Sequence, residues 1–317
     1  MHKRFLTLII FMLIGLNIFS QQNVQFSHNM FNIMGFNPGY AGMRQSICVT
    51  ALFRQQWLGF QDDENTRLHP QTNSLNVDAP IPFLNGGLSL GLLQDQMGFE
   101  TNVGVNIGYA YHTALGFGNL GIGFQAGFLD KGLDFTQLNP INEGDPTLSG
   151  GSEESAMFID FALGAYYMED DWWGGLSFSQ MFQSSREIGD GNAVYELKRH
   201  FYITGGFDFS VPDHTAFVVS PSALIKTDIN SVQIDVNTLV TYNQRVWGGL
   251  SYRHQDAVVV FLGLNFDQIS VGYSYDITTS LIGRHGRSYG SHELLVQYCF
   301  DLELERIPRP HRTTRFL

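Results

Sequence analysis

The side chains most able to do chemistry are scattered through this chain. There are ten histidines, but none falls in the His-Glu-x-x-His spacing that sets two imidazoles around zinc. Cys48 and Cys299 are too few for a thiolate cluster or a disulfide framework. They can pair only if the first and last strands of a sheet are neighbours. A surface hydrolase would draw on His200, His254, His285 or His292, yet no nucleophile elbow or defensible carboxylate pair accompanies them. Gly121-x-Gly123 and Gly205-Gly206 lie in strand-like sequence with no helix behind them, so they are not phosphate loops. The acidic stretches Asp62-Asp63-Glu64 and Asn142-Glu143-Gly144-Asp145 carry oxygens that suit calcium, but they read as solvated loops. The expectation is recognition without catalysis, with no cofactor and no metal.

The elements that would position such side chains are strands. The chain has 317 residues, 14% aromatic, 34 of them glycine, and only 15% charged, against about 25% charged in an average soluble domain. Its mean hydropathy is −0.06. Apolar and polar residues alternate in segment after segment. Val49, Ala51 and Phe53 oppose Thr50, Arg54 and Gln56, and Leu75, Val77 and Ala79 oppose Ser74, Asn76 and Asp78. Val232, Ile234 and Val236 oppose Gln233, Asp235 and Asn237. In the last segment, Leu294, Val296, Tyr298 and Phe300 oppose Glu293, Gln297 and Asp301. Such period-two patterning belongs to strands with one apolar face. About fourteen segments can be counted, an even number as in bacterial membrane barrels. The weakest contains Pro221, which cannot donate to a ladder.

Connection lengths sort the same way. Every second one is tight (80–85, 116–119, 169–171, 212–215, 242–245, 267–268), while the long ones (59–71, 131–155, 183–198, 282–290) fall in the other set. Membrane barrels have short turns on the periplasmic side and longer external loops, whereas a soluble sandwich has no reason to sort its loops. The predicted fold is all-β, a transmembrane antiparallel up-and-down barrel over residues 44–303. In lipid the backbone must bond internally, so the sheet closes and its apolar face turns outward. The charged strand residues Arg54, Asp78, Asp208, Asp235, Asp276 and Glu293 then line a lumen that side chains alone do not fill.

Around the barrel lie three other segments. Lys3 and Arg4 precede an apolar run from Phe5 to Phe19, which reads as a signal peptide cut after Ser20 and directs the chain to the outer membrane. Residues 21–43 form an irregular leader on the periplasmic side, with turn signals in Asn37-Pro38-Gly39 and Gly42. The tail at 304–317 is basic and Pro-rich, carrying four of the eighteen Lys and Arg, and is read as a periplasmic docking segment. The net charge of −12 argues against nucleic acid as a partner.

A set of short motifs runs through this frame: Gln25-Phe-Ser-x-x-Met-Phe-Asn32, Asn37-Pro-x-Tyr-Ala-Gly42, Arg54-x-Gln-Trp-x-Gly59, Ser74-Leu-Asn-Val-Asp-Ala-Pro80, Trp247-Gly-Gly-Leu-Ser-Tyr-Arg253, Val271-Gly-Tyr-Ser-Tyr-Asp276 and Gly290-Ser-His-Glu293. In this order they resemble the PorP/SprF family of type IX secretion system membrane proteins. Gly39 stands where that family usually has Ala. The resemblance implies an outer-membrane barrel that works by protein–protein contact with other secretion components and with lipid around it. One implied role is to help export a secreted surface protein, an adhesin of the gliding type, or hold it at the surface. The other is a core machinery barrel contacting the periplasmic ring. The first is favoured, and a passive porin remains the competing class. The candidate partner-binding residues are Asn37, Pro38, Arg54, Gln56, Asp78, Asp235, Arg253, Asp276, Glu293, Arg309, Arg312 and Arg315.

Overall fold

A computed structural model describes residues 23–61, 67–137, 153–188, 193–212, 216–286 and 288–301. They form a closed antiparallel barrel of fourteen strands. In chain order the strands are β1 (Ser46–Gln55), β2 (Gln71–Ile81), β3 (Gly86–Met97), β4 (Glu100–Leu115), β5 (Gly118–Asp134), β6 (Glu153–Met168) and β7 (Trp172–Ser179). They continue with β8 (His200–Phe207, prolonged by Phe209–Ser210), β9 (Phe217–Thr227), β10 (Val232–Tyr242), β11 (Val246–Arg253), β12 (Ala257–Phe266), β13 (Ile269–Thr278) and β14 (Ser291–Asp301). Each strand pairs with its sequence neighbours, and β14 closes on β1. A small hairpin, Ser185–Ile188 with Ala193–Glu196, stands apart from the barrel sheet.

The alternation in the sequence becomes two walls. Phe53, Leu90, Ile107, Phe124, Leu176 and Leu262 are exposed on the outside, where lipid replaces water as the solvent. Thr50, Arg54, Asn76, Asp235, Arg253 and Glu293 are buried inside. At one end of the barrel the turns are tight. Several of their residues adopt left-handed backbone, including Asn85, Asn243, Gln244 and Asp267 with φ of 50°, 49°, 56° and 48°. Asn and Asp tolerate that region better than most side chains. The opposite end carries the long connections, together with three short ones at 98–99, 228–231 and 254–256.

Pro221 does lie within a strand, and its effect is local. The β8–β9 ladder runs to Gly206↔Ser222 and resumes at Phe209↔Val219. The gap falls opposite Pro221, which has no N–H to give. Asp208, expected to line the lumen, is exposed beside this gap and accepts a hydrogen bond from Ser220 Oγ at 2.5 Å.

The largest departure from the sequence reading concerns the leader. The leader, read as residues 21–43 on the periplasmic side, runs through the bore of the barrel in its described part from residue 23 to the start of β1. Short 3-10 turns at Ile33–Gly35 and Pro38–Tyr40 punctuate an otherwise irregular path from the loop end to the turn end, where β1 begins. An irregular segment is tolerated at membrane depth only where protein surrounds it and satisfies its polar groups. Here the inner wall supplies those partners.

Candidate functional site: a leader clamped inside the barrel

The clamp begins where β1, β13 and β14 bring three charges together. Arg54 Nη2 lies 2.8 Å from Asp276 Oδ2, and Arg54 Nη1 lies 3.1 Å from Glu293 Oε2. Arg253, on β11, reaches Asp276 at 3.1 Å, Asp256 at 3.2 Å and Asp235 at 3.4 Å. Arg54, Arg253, Asp235, Asp276 and Glu293 are each only 1% exposed. Charges buried this deeply are sustainable only when paired and hydrogen-bonded on every side.

The leader supplies much of that bonding. Glu293 accepts the backbone N–H groups of Ser27 and His28, both at 2.8 Å, and meets His28 Nδ1 at 2.8 Å. Ser27 Oγ donates to Asp276 at 2.8 Å and accepts from Arg54 at 2.8 Å and from Arg253 at 3.2 Å. Asp235 accepts from Gln25 Nε2 at 2.9 Å and Asn29 Nδ2 at 3.3 Å. Lys226, on β9, donates to Asn23 O at 3.1 Å and Gln25 Oε1 at 2.9 Å.

The same leader stretch presents its apolar side chains the other way. Phe26, Met30 and Phe31 pack against a lumenal cluster of Leu52, Leu239, Trp247, Val259, Phe261 and Leu295. Phe31 lies 4.7 Å from the Trp247 ring, centroid to centroid. Gln25-Phe-Ser-His-Asn29 is therefore one short irregular segment whose polar side chains and backbone meet charges while its neighbours fill an apolar pocket.

Further along, the leader meets a wall cleared of side chains. Asn37 donates to Ala165 O at 3.1 Å and Leu176 O at 3.4 Å, and its Oδ1 caps Gly39 N at 2.9 Å. A Cβ at Gly164 would fall 2.1 Å from Asn37 Oδ1, one at Gly123 2.3 Å from the Pro38 carbonyl carbon, and one at Gly121 2.1 Å from Gly39 O. Glycine lets two backbones approach this closely. Near the turn end, Gly42 N–H bonds to Asp78 at 3.0 Å, and Arg44 Nε donates to Tyr40 Oη at 2.5 Å. A small cluster of Ile33, Met34, Tyr40, Ala41, Met43, Ala110 and Tyr166 seals this part.

Of the residues singled out from sequence, Arg54, Asp78, Asp235, Arg253, Asp276 and Glu293 all face the bore and touch, directly or through one another, the chain's own leader. Asn37 and Pro38 belong to that leader and are buried. Gln56 lies past the end of β1, half-buried, with its N–H on Pro70 O at 2.9 Å. Arg309, Arg312 and Arg315 lie outside the described residues, as do the acidic stretches at 62–64 and 142–145. Ser27, His28, Gln25, Asn29, Lys226 and the glycine floor were missed as site residues. Inward-facing glycines recurring on neighbouring strands were the available signal for the floor. Among the described residues, no three His, Cys, Asp or Glu side chains form a group able to hold a metal ion. His200 is buried against Gln180 Oε1 at 2.8 Å and Lys198 O at 2.9 Å.

The seam between β1 and β14 shows one more feature. Its inward-facing pairs are matched rung by rung: Cys48 with Cys299 in a disulfide, Thr50 with Gln297 at 2.8 Å, Leu52 with Leu295, and Arg54 with Glu293. The sequence left the pairing of the two cysteines open. Closure of the barrel puts them directly opposite each other.

The motifs that converge on the leader are those of one family. A family model described as type IX secretion system membrane protein PorP/SprF matches residues 18–298. The chain belongs to that family. No curated protein matches it. Among solved structures, this PorP/SprF chain is similar to the Acinetobacter baumannii outer membrane protein Omp33, with a TM-score of 0.45 at 8% identity over 81% of this chain and 99% of that one. It is similar also to the Ralstonia pickettii toluene transporter TbuX, with a TM-score of 0.48 at 11% identity over 86% and 93%. A third is KdgM porin, with a TM-score of 0.38 at 10% identity over 80% and 99%.

Proposed function

We propose that this PorP/SprF barrel sits in the outer membrane and supports the export or surface anchoring of a secreted cell-surface protein by contact, without conducting solute. The observation that carries this reading is the leader inside the bore, held by the Arg54, Arg253, Asp235, Asp276 and Glu293 network. A bore filled and bonded in this way suits a docking body better than a porin. The signal peptide delivers the chain to the periplasm, and the loop end faces outward in keeping with its long connections. The basic residues Arg309, Arg312 and Arg315 serve as a docking segment for secretion components beneath the membrane. In cells lacking the protein, one large surface protein is lost from the surface or shed into the medium. Unchanged surface display in that deletion would overturn the proposal.

A further inference from the structure

In an up-and-down barrel with an even number of strands, the first strand starts and the last strand ends on one side. β1 begins at Ser46 and β14 ends at Asp301, paired with each other at the turn end. The chain ahead of β1, however, does not stay there. Its partners trace the bore from one end to the other: Gly42 bonds to Asp78, near the turn end of β2, and Asn37 bonds to Ala165 and Leu176, three and four residues from the turn ends of β6 and β7. Ser27 and His28 reach Glu293, the third residue of β14 after the long loop. Gln25 bonds to Asp235 and to Lys226, the latter next to last in β9, and Asn23 O also receives Lys226. Those two strands meet at the 228–231 turn, at the loop end.

A small cavity remains beside this segment. The cavity lined by Asn23, Gln25, Asn76, Asn106, Tyr202 and Lys226 has a volume of about 90 Å³, room for only a few waters. We propose that the leader opens at the loop-end mouth of the bore, so that its amino-terminal end at Asn23 faces the side of the long loops, across the membrane from the end of β14 at Asp301. The leader is then a transmembrane segment in its own right, and its amino-terminal end and the end of β14 open on different compartments. This holds whether or not a secreted partner docks on that face.

Single-cysteine accessibility in whole cells tests it, using the full-length chain with Cys48 and Cys299 kept in their disulfide. Q22C, Q21C, I229C in the loop-end turn and N243C in a tight turn are each exposed to a membrane-impermeant maleimide, before and after permeabilisation. Folding of each variant is confirmed by the heat-dependent mobility shift of the barrel on gels. Q22C and Q21C are expected to label on the same side as I229C, and N243C on the other. Labelling of Q22C and Q21C together with N243C overturns the proposal. So does protection of both in intact and permeabilised cells, which would place that end of the leader inside the bore. Loss of surface display in a deletion strain, by contrast, bears only on the docking function.

Discussion

Arg54 and Glu293 sit opposite each other on the first and last strands, 3.1 Å apart, and the leader's Ser27 lies between them. Ser27 N–H bonds to Glu293 and Ser27 Oγ accepts from Arg54. Closing the sheet and seating the leader are therefore one structural event, since the same two side chains do both. Replacing Arg54 by Met leaves Glu293 and Asp276 short of a cation in a buried site. The loss of one partner from a buried pair costs about 3–5 kcal/mol, and R54M should lose its compact, heat-sensitive gel band at a clearly lower temperature than the wild type. Glu293→Gln keeps one of the two oxygens that accept the Ser27 and His28 N–H groups and should fall between the two. An R54M barrel as heat-resistant as wild type would remove the network from the account.

The glycine floor predicts a contrast between two nearby positions. A Cβ at Gly164 would collide with Asn37 Oδ1 at 2.1 Å, whereas one at Gly174 meets nothing closer than Thr204 O at 3.5 Å. Gly164→Leu should therefore displace the leader, costing about 1–3 kcal/mol as overpacking does, and should render the 23–45 segment sensitive to protease. Gly174→Leu should do neither. Equal protease resistance in the two variants would mean that the floor is not what holds Asn37.

The disulfide joins residues 251 apart in sequence. Chain-entropy estimates for so long a loop give about 5–6 kcal/mol of stabilisation. Protein denatured without reductant should offer no free thiol to alkylation, and the Cys48→Ser/Cys299→Ser pair should insert but unfold at a lower temperature. Two free thiols in mature protein would contradict the closed seam drawn here.

Removing 306–317 should weaken recovery of periplasmic secretion components in pull-downs while leaving the barrel inserted. Unchanged recovery would leave the arginines of that tail without a docking role.

Much of the barrel was legible because each strand reports its own geometry. Leu75, Val77 and Ala79 announce an outward face with no knowledge of the rest of the chain. The connections at 243–245 and 267–268 announce tight turns through Asn243 and Asp267. The leader carries no such period. Apart from Arg54, 27 residues from Ser27, the partners of Gln25, Ser27, His28 and Asn29 lie on strands more than 200 residues away, as with Gln25 and Asp235 at a separation of 210. Arg54 and Arg253 inside a lumen said that something polar must share it, but not that the occupant was the chain itself. Pro221 illustrates the converse: a local rule that correctly marked a break in one ladder without breaking the strand.

A bore filled by its own leader should not conduct ions. Planar-bilayer conductance tests it most directly, with purified wild-type barrel compared against a variant lacking residues 23–43. The account predicts no steady conductance from the wild type and open-channel steps from the variant. Steady ion flow through the intact wild-type barrel would contradict it.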